Sequence, residues 1–324
     1  MQQTEIRAKR TRWGEKRYHS LDYYLKETYG KKLYKIALDG GMTCPNRDGT
    51  LGYGGCVFCS AGGSGDFAGN RNLSITGQLD SGRKLLSDKY RGDGYIAYFQ
   101  AYTGTYGPLP HLRQVFTEAL QYPGVEILSI ATRPDCLPPD VLSLLTELSS
   151  RKPVWVELGL QTIHPESAGF IRRGYELPVF EQAVKELRRI GISVIVHVIL
   201  GLPSEDTESM LATIDYLNTL DIQGIKLSLL HILKGTDLAV YYQKKPFPIL
   251  TLEEYLVLLG HCISRLRPDI VIHRLTGDGP KHLLIEPKWT ARKRFVLNQI
   301  QSYFKSHDIW QGRSYTNGRI THSL

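Results

Sequence analysis

The sequence predicts an α/β fold: a partial TIM barrel of about six βα units with N- and C-terminal extensions. Two observations carry that expectation. Apolar, β-branched runs alternate with stretches of helical periodicity, the pattern of βαβ units that share a parallel sheet. Polar and reactive side chains then gather just past the ends of those runs, where a βα barrel places its active site on the C-terminal rim of its strands. A chain of 324 residues and 36.6 kDa accommodates one large core or at most two domains.

The expected strands are 32–38, 95–101, 125–132, 154–160, 193–200 and 225–231. Helical stretches follow at 73–90, 112–121, 139–149, 179–190 and 207–220, with a further helix at 252–266 after the sixth strand. Pro138-Pro139-Asp140 opens one helix and Ser204-Glu205-Asp206 precedes another, both good starting sequences. In the fourth strand Val154, Val156, Leu158 and Leu160 alternate with Trp155, Glu157 and Gly159, so one face carries polar groups. No repeat, low-complexity segment or linker divides the chain. The organisation expected is a basic extension at 1–30, the barrel at 31–245 and a basic, substrate-facing extension at 246–324.

The formal charge of +8 is uneven. Residues 1–17 hold six Lys/Arg against two acids, and residues 281–324 hold eight against two, leaving the middle slightly acidic. Basic ends on a near-neutral body suggest a polyanionic partner. Trp13, Tyr18, Trp289, Phe295, Tyr303, Trp310 and Tyr315 lie among these charges and offer faces for base stacking, unless they pack beneath the basic surface. No run approaches the eighteen apolar residues of a membrane span; the longest, 192–202, is interrupted by His197. The polar N-terminus lacks the apolar core of a secretory signal, and five sparse cysteines suit a reducing compartment, so a cytoplasmic location without membrane contact is expected.

Three of those cysteines, Cys44, Cys56 and Cys59, follow the first strand with the spacing Cys-x11-Cys-x2-Cys. Ten of the 31 glycines fall between residues 40 and 69, as in a loop that wraps a cofactor closely. Three thiolates can hold three corners of a [4Fe–4S] cluster and leave the fourth iron open to a ligand such as S-adenosylmethionine (SAM), whereas an electron-carrying cluster takes four. Structural zinc is the alternative, but no His lies between residues 20 and 110 to close the site locally.

Thr43-Cys44-Pro45-Asn46-Arg47-Asp48-Gly49, followed by Gly55-Cys56-Val57-Phe58-Cys59, resembles the cluster loop of the radical SAM superfamily. It is most similar to that of small proteins related to the catalytic subunit of elongator. The longer spacing between the first two cysteines, against three residues in most of the superfamily, is typical of that group. The resemblance implies that Cys44, Cys56 and Cys59 ligate a [4Fe–4S] cluster whose open iron binds SAM. A 5′-deoxyadenosyl radical then abstracts hydrogen from the substrate.

The resemblance also implies roles along the strand ends. Gln100, in Phe99–Thr103, stands where relatives contact the methionine amino group; its alternative is a bond to a neighbouring loop. Glu157 and Gln161, in Glu157–Gln161, correspond to contacts with ribose and methionine. His197 begins a segment similar to the adenine-contacting one; its alternative is a hydrogen-bonded barrel histidine. Arg133, in Thr132–Cys136, pairs with a cofactor carboxylate or a substrate phosphate, with Asp135 holding it. His231 faces substrate or cofactor. Cys136 is ambiguous, a hydrogen-atom donor at most, and Cys262 belongs to the core. Arg274–Lys281 is either a substrate-contacting segment or an ordinary turn.

The function these features imply is modification of tRNA: removal of the carboxymethyl group from a 5-carboxymethylaminomethyl wobble uridine, leaving the 5-aminomethyl form. The electron would come from a reductant such as flavodoxin or ferredoxin. The competing readings are radical chemistry on a small metabolite and a zinc-stabilised RNA-binding module.

Overall fold

The computed structural model describes residues 13–87, 92–277, 279–316 and 319–320. Residues 1–12 of the basic N-terminus, the end of the helix expected at 73–90, and Asp278 lie outside the described residues. Seven parallel strands follow one another in chain order across a single curled sheet, an open half-barrel. They are β1 (Tyr34–Leu38), β2 (Tyr95–Phe99), β3 (Val125–Thr132), β4 (Val154–Gln161), β5 (Ser193–Leu200) and β6 (Gly224–Leu229). After a two-residue β7 (Ile232–Leu233), which leaves the sheet to pair with β9 (Leu284–Glu286), comes β8 (Val271–Arg274).

The partial barrel is as expected, and β8 adds a seventh strand to the six named from the sequence, beyond residue 245. Its four residues, Val-Ile-His-Arg, are too short and too polar to read as a strand in isolation. The sheet edge recruits them because β6 offers unpaired backbone groups.

Helices α1 (Leu21–Tyr29), α2 (Ile75–Ser87), α3 (Leu109–Gln121), α4 (Pro139–Ser149), α5 (Pro165–Phe170), α6 (Leu177–Arg189), α7 (Thr207–Leu217), α8 (Asp237–Lys244), α9 (Leu252–Arg265) and α10 (Lys293–Ser306) complete the fold. Their ends are written locally. Asp206 caps α7 by accepting from the Ser209 amide, and Thr251 and Glu254 close a capping box on α9. No helix among the described residues is long and apolar enough to cross a membrane.

The two faces of the sheet bury different things. Val154, Val156, Leu158 and Leu160 of β4 join the large core beneath the outer helices. The inner face is layered with a period of two residues, as strand geometry requires. Ile96, Ile127, Trp155 and Ile195 form an apolar layer closed by Leu25 of α1. Two residues further along each strand stand Tyr98, Ser129, Glu157 and His197, joined by Lys35, Lys226 and Arg274. Each of the seven strands therefore gives one polar side chain to a single layer.

The C-terminal segment packs back onto the N-terminal one. Val296, Ile300 and Phe304 bury one face of α10, with Phe304 edge-on to Tyr18. Gln311, fully buried, accepts from the His19 amide at 2.8 Å and donates to the carbonyls of Arg267 at 2.6 Å and Ile270 at 2.8 Å. Several of the aromatics expected to stack on bases are consumed here. Trp13 and Tyr18 are buried, and the Trp289 indole donates to the Leu250 carbonyl. Phe295 stays exposed beneath the Arg292 guanidinium. Replacing Gln311→Ala leaves three backbone groups, one of them fully buried, without their partner and should lower stability by about 2–3 kcal/mol, read as the shift of the urea unfolding midpoint at unchanged slope.

Candidate functional site

The loop between β1 and α2 carries the three thiols, and it is tied to the strand ends by hydrogen bonds. Gln78 accepts from the Asp39 amide at 2.9 Å and donates to the Asp39 carbonyl at 2.8 Å. Arg47 Nη2 donates to the Ser60 carbonyl at 2.6 Å, Gln100 Nε2 to the Ser64 carbonyl at 2.7 Å, and the Tyr102 hydroxyl to the Ala61 carbonyl at 2.9 Å. Two glycines are required by contact. A Cβ on Gly63 would meet the Tyr102 ring at 2.3 Å, and one on Gly65 would meet the Ala101 side chain at 2.6 Å.

All nine side chains nominated from the sequence, Cys44, Cys56, Cys59, Gln100, Arg133, Glu157, Gln161, His197 and His231, line one cavity of about 270 Å3 at the C-terminal end of the strands. The thiols sit at its mouth. Cys56 hydrogen-bonds Cys59, which lowers the Cys59 thiol to about 7 and pushes the Cys56 thiol up. Burial opposes the Cys59 shift, while Ser64 and Arg47 support it. Asn46 Nδ2 lies 3.5 Å from Cys56 Sγ, a further donor to a thiolate. Among the described residues no three His, Cys, Asp or Glu side chains gather closely enough for a single metal ion. A cluster of four irons spans more space than one ion, so three thiols around a shared cavity mouth are a donor set that fits it. Cys136 is buried, pushed up to about 12 mainly by that burial, and is absent from the cavity wall; Cys262 is buried in α9.

On the wall above the floor, Arg133 is held by a bidentate pair with Asp135, at 2.9 and 2.7 Å, and donates to the Arg173 carbonyl at 2.8 Å. Arg173, not anticipated from the sequence, donates to the carbonyls of Thr162 at 2.7 Å and Leu160 at 3.1 Å, fixing the chain after β4. Both guanidinium groups lie about 5 Å from the Tyr175 ring, at 5.0 and 4.9 Å. Gln161 ends β4 at φ +67°, beside a register shift against β5. Gln100 makes the loop contact weighed as its alternative, and it still lines the cavity.

The floor is the polar layer. Glu157 has no exposed side-chain surface, and its four lone-pair positions are filled: Oε1 by Lys35 at 2.9 Å and Ser129 at 2.9 Å, Oε2 by His197 at 2.7 Å and by Lys226. Its expected role is a contact to cofactor hydroxyls; its oxygens already accept four donors within the protein, and the residue lines the cavity. Burial alone would raise its pKa; Lys226, Lys35 and His197 reverse that and hold it well below the usual carboxylate range. Burial also pulls the Lys226 ammonium down against Glu157, yet Nζ donates to both Glu157 and the Tyr98 hydroxyl, as an ammonium does. Tyr98 lies between two ammonium groups, Lys35 and Lys226, each 4.4 Å from the ring centroid. Burial, then Lys226, lower His197 to about 4, so the neutral ring donates from Nε2 to Glu157 and keeps the Nδ1 lone pair.

Sequence reasoning missed Lys35, Tyr98, Ser129, Lys226 and Arg274 as parts of one layer. The available signal was a polar residue at the inward position of each apolar run. Gly277, Gly279 and Pro280, from the segment that expectation left between substrate contact and turn, also line the cavity, with both glycines packed on the His231 ring.

Residues 44–217 match the radical SAM superfamily, and residues 222–306 match the radical SAM C-terminal domain. The chain is 45% identical over 301 residues, 93% of its length and 94% of the relative's, to the uncharacterized protein YtqA of Bacillus subtilis. It is 23% identical over 185 residues, 56% of its length and 33% of the relative's, to the tRNA uridine(34) acetyltransferase of Methanocaldococcus jannaschii. Its fold resembles that of the archaeal Methanocaldococcus infernus Elp3 with an N-terminal deletion, at TM-score 0.66 and 15% identity, covering 86% of this chain and 64% of that one.

Glu157→Gln leaves the buried Lys226 charge uncompensated and should cost about 3–5 kcal/mol in urea unfolding, with part recovered in the Glu157→Leu/Lys226→Met double variant. His197 and His273 both have folded pKa values depressed by burial, so the unfolded chain binds the extra protons. Stability should therefore fall as pH drops from about 6.5 towards 4, and His197→Gln should flatten that slope in Tm measured across this range.

Proposed function

Because this chain belongs to the radical SAM superfamily, we infer that Cys44, Cys56 and Cys59 hold a [4Fe–4S] cluster and that SAM binds in the cavity beneath them. The observation that carries this reading is the convergence of three cysteines, with no fourth, on the mouth of a cavity floored by polar groups. When bound, the cluster and SAM supply reductive cleavage of a carbon–sulfur bond and, through it, abstraction of a hydrogen atom. The chain's own residues prepare for that. Asn46, Arg47 and Ser64 stabilise negative charge on the thiolates. Gln100, Gln161 and His231 contact the cofactor, Arg133 is fixed by Asp135 for a carboxylate or phosphate, and the His197 Nδ1 accepts from a bound N–H or O–H. Ile171, Ile199, Leu229 and Leu230 line the same cavity and keep water from the reacting carbon.

The substrate in this reading is tRNA, at a 5-carboxymethylaminomethyl wobble uridine that loses its carboxymethyl group, with flavodoxin or ferredoxin as electron donor. A lone pair on the adjacent nitrogen weakens the C–H bond to be broken; loss of that hydrogen atom and of one further electron, with SAM as the overall two-electron oxidant, would leave an imine that water splits into the 5-aminomethyl uridine and a two-carbon oxoacid. Support comes from the basic ends of the chain and from the likeness to a protein named for tRNA uridine(34). Tyr53 and Phe67, exposed on the cysteine loop beside the cavity, add aromatic faces on which bases stack.

Anaerobic reconstitution tests the chemistry. The protein should take up iron and sulfide and, with dithionite, release 5′-deoxyadenosine from SAM. Cys44→Ala, Cys56→Ala and Cys59→Ala should each bring both to background; release of 5′-deoxyadenosine by any of them would refute the ligand set. Profiling tRNA nucleosides from cells lacking the gene should show the 5-carboxymethylaminomethyl form accumulating, and unchanged wobble uridines would remove the substrate while leaving the radical chemistry.

A further inference from the structure

The charges of the polar layer do not balance. Lys35, Lys226 and Arg274 face a single carboxylate, Glu157, whose lone pairs are already filled by Lys35, Lys226, Ser129 and His197. The neighbouring imidazoles of His197 and His273 add no negative charge. Arg274 ends β8 half-buried and lines the cavity. Among the described residues no carboxylate, hydroxyl or carbonyl accepts from its guanidinium, although its charge acts on Tyr98, His197 and Lys226. A guanidinium removed from bulk water and left without an acceptor is unfavourable. The thiols and Arg274 line the same cavity, the thiols from the loop after β1 and Arg274 from the end of β8.

The missing component is an anion that reaches the floor from the mouth, and the planar fork of an arginine matches a carboxylate through two parallel hydrogen bonds. We propose that Arg274, with Lys226 behind it, forms the subsite for a carboxylate at the tip of the substrate group that this site modifies. The inference rests on the reading above, in which a wobble uridine carries a carboxymethylaminomethyl arm. The arm ends in one negative charge, which the floor compensates, and its C–H bonds then lie nearer the mouth. Loss of that carboxylate on reaction removes the charge that held the arm, so the product leaves more readily than the substrate. The other carboxylate available to this cavity is SAM's own, and the experiment separates the two.

Anticodon stem-loop RNAs with 5-carboxymethylaminomethyl- or 5-aminomethyl-uridine at the wobble position are titrated into the anaerobically reconstituted protein. SAM affinity is measured alongside. Sarcosine, which is the arm alone, is tested for thermal stabilisation at constant ionic strength. The wild-type protein should bind the carboxylated RNA at least about tenfold more tightly. Arg274→Gln, which has no hydrogen-bond partner to lose among the described residues, should bring the two RNAs within about twofold of each other while SAM affinity stays as it was. Sarcosine should raise the Tm of the wild type and not that of Arg274→Gln. An unchanged RNA ratio in the variant overturns the proposal. So does a loss of SAM affinity with discrimination retained, which would assign the guanidinium to the cofactor. If neither RNA binds the wild type, the wobble-uridine reading falls. Arg274-dependent stabilisation by sarcosine would then still uphold the carboxylate subsite, and its absence would end that too.

Discussion

One buried carboxylate organises this barrel. Glu157 sits where β4 crosses the middle of the inner face, and four donors from β1, β3, β5 and β6 end on its two oxygens. A charge in that position is tolerated only because it is fully paired and hydrogen-bonded. The pairing in turn ties five strands together from the inside, where the apolar layer beneath gives no directional bonds. It also decides chemistry. By taking the Nε2 proton as its hydrogen bond, Glu157 fixes the His197 tautomer and leaves Nδ1 for the cavity.

Much of the barrel was legible because its signals are local. Strands β2 to β6 are largely apolar runs buried on both faces, which is the one-dimensional mark of a parallel sheet. The thiol spacing and the glycine density around it are equally local, and so they identified the loop without knowledge of any contact. The polar layer was different. Lys35 in an apolar run of five, or Lys226 in a run of six, reads as an edge or a surface position when taken alone. Their purpose appears only when the neighbouring strand supplies Tyr98 or Glu157. A ring that closes through space, with one member per strand, leaves no trace of its closure in any short window of sequence. β8 escaped for the related reason that its pairing, not its composition, makes it a strand.

The aromatics at the chain ends teach the complementary lesson. Trp13 and Tyr18 lie among basic residues in sequence, yet the fold spends them on packing. Of the two readings composition left for these rings, packing holds for both, and it could not be chosen from sequence because Tyr18 is covered by Phe304 of α10, far along the chain. Tyr53 and Phe67 remain exposed for the opposite reason. Their loop is anchored by hydrogen bonds to its backbone and needs no apolar side chains beneath it.

The outer edge of β8 is not left bare. The Ile272 amide donates to the His19 carbonyl at 2.7 Å, Ser20 bridges Ile272, and Gln311 then clamps residue 19 from across the sequence. An open half-barrel presents two unpaired strand margins, the places where one protein molecule most readily adds itself to another. Here one margin is sealed by residues 19 and 20, and the seal is locked by a residue 292 positions after His19. During synthesis residues 19 and 20 stay without this pairing until β8 has been made, and without its lock until residue 311 follows, so the margin of the growing sheet is open to other chains until then.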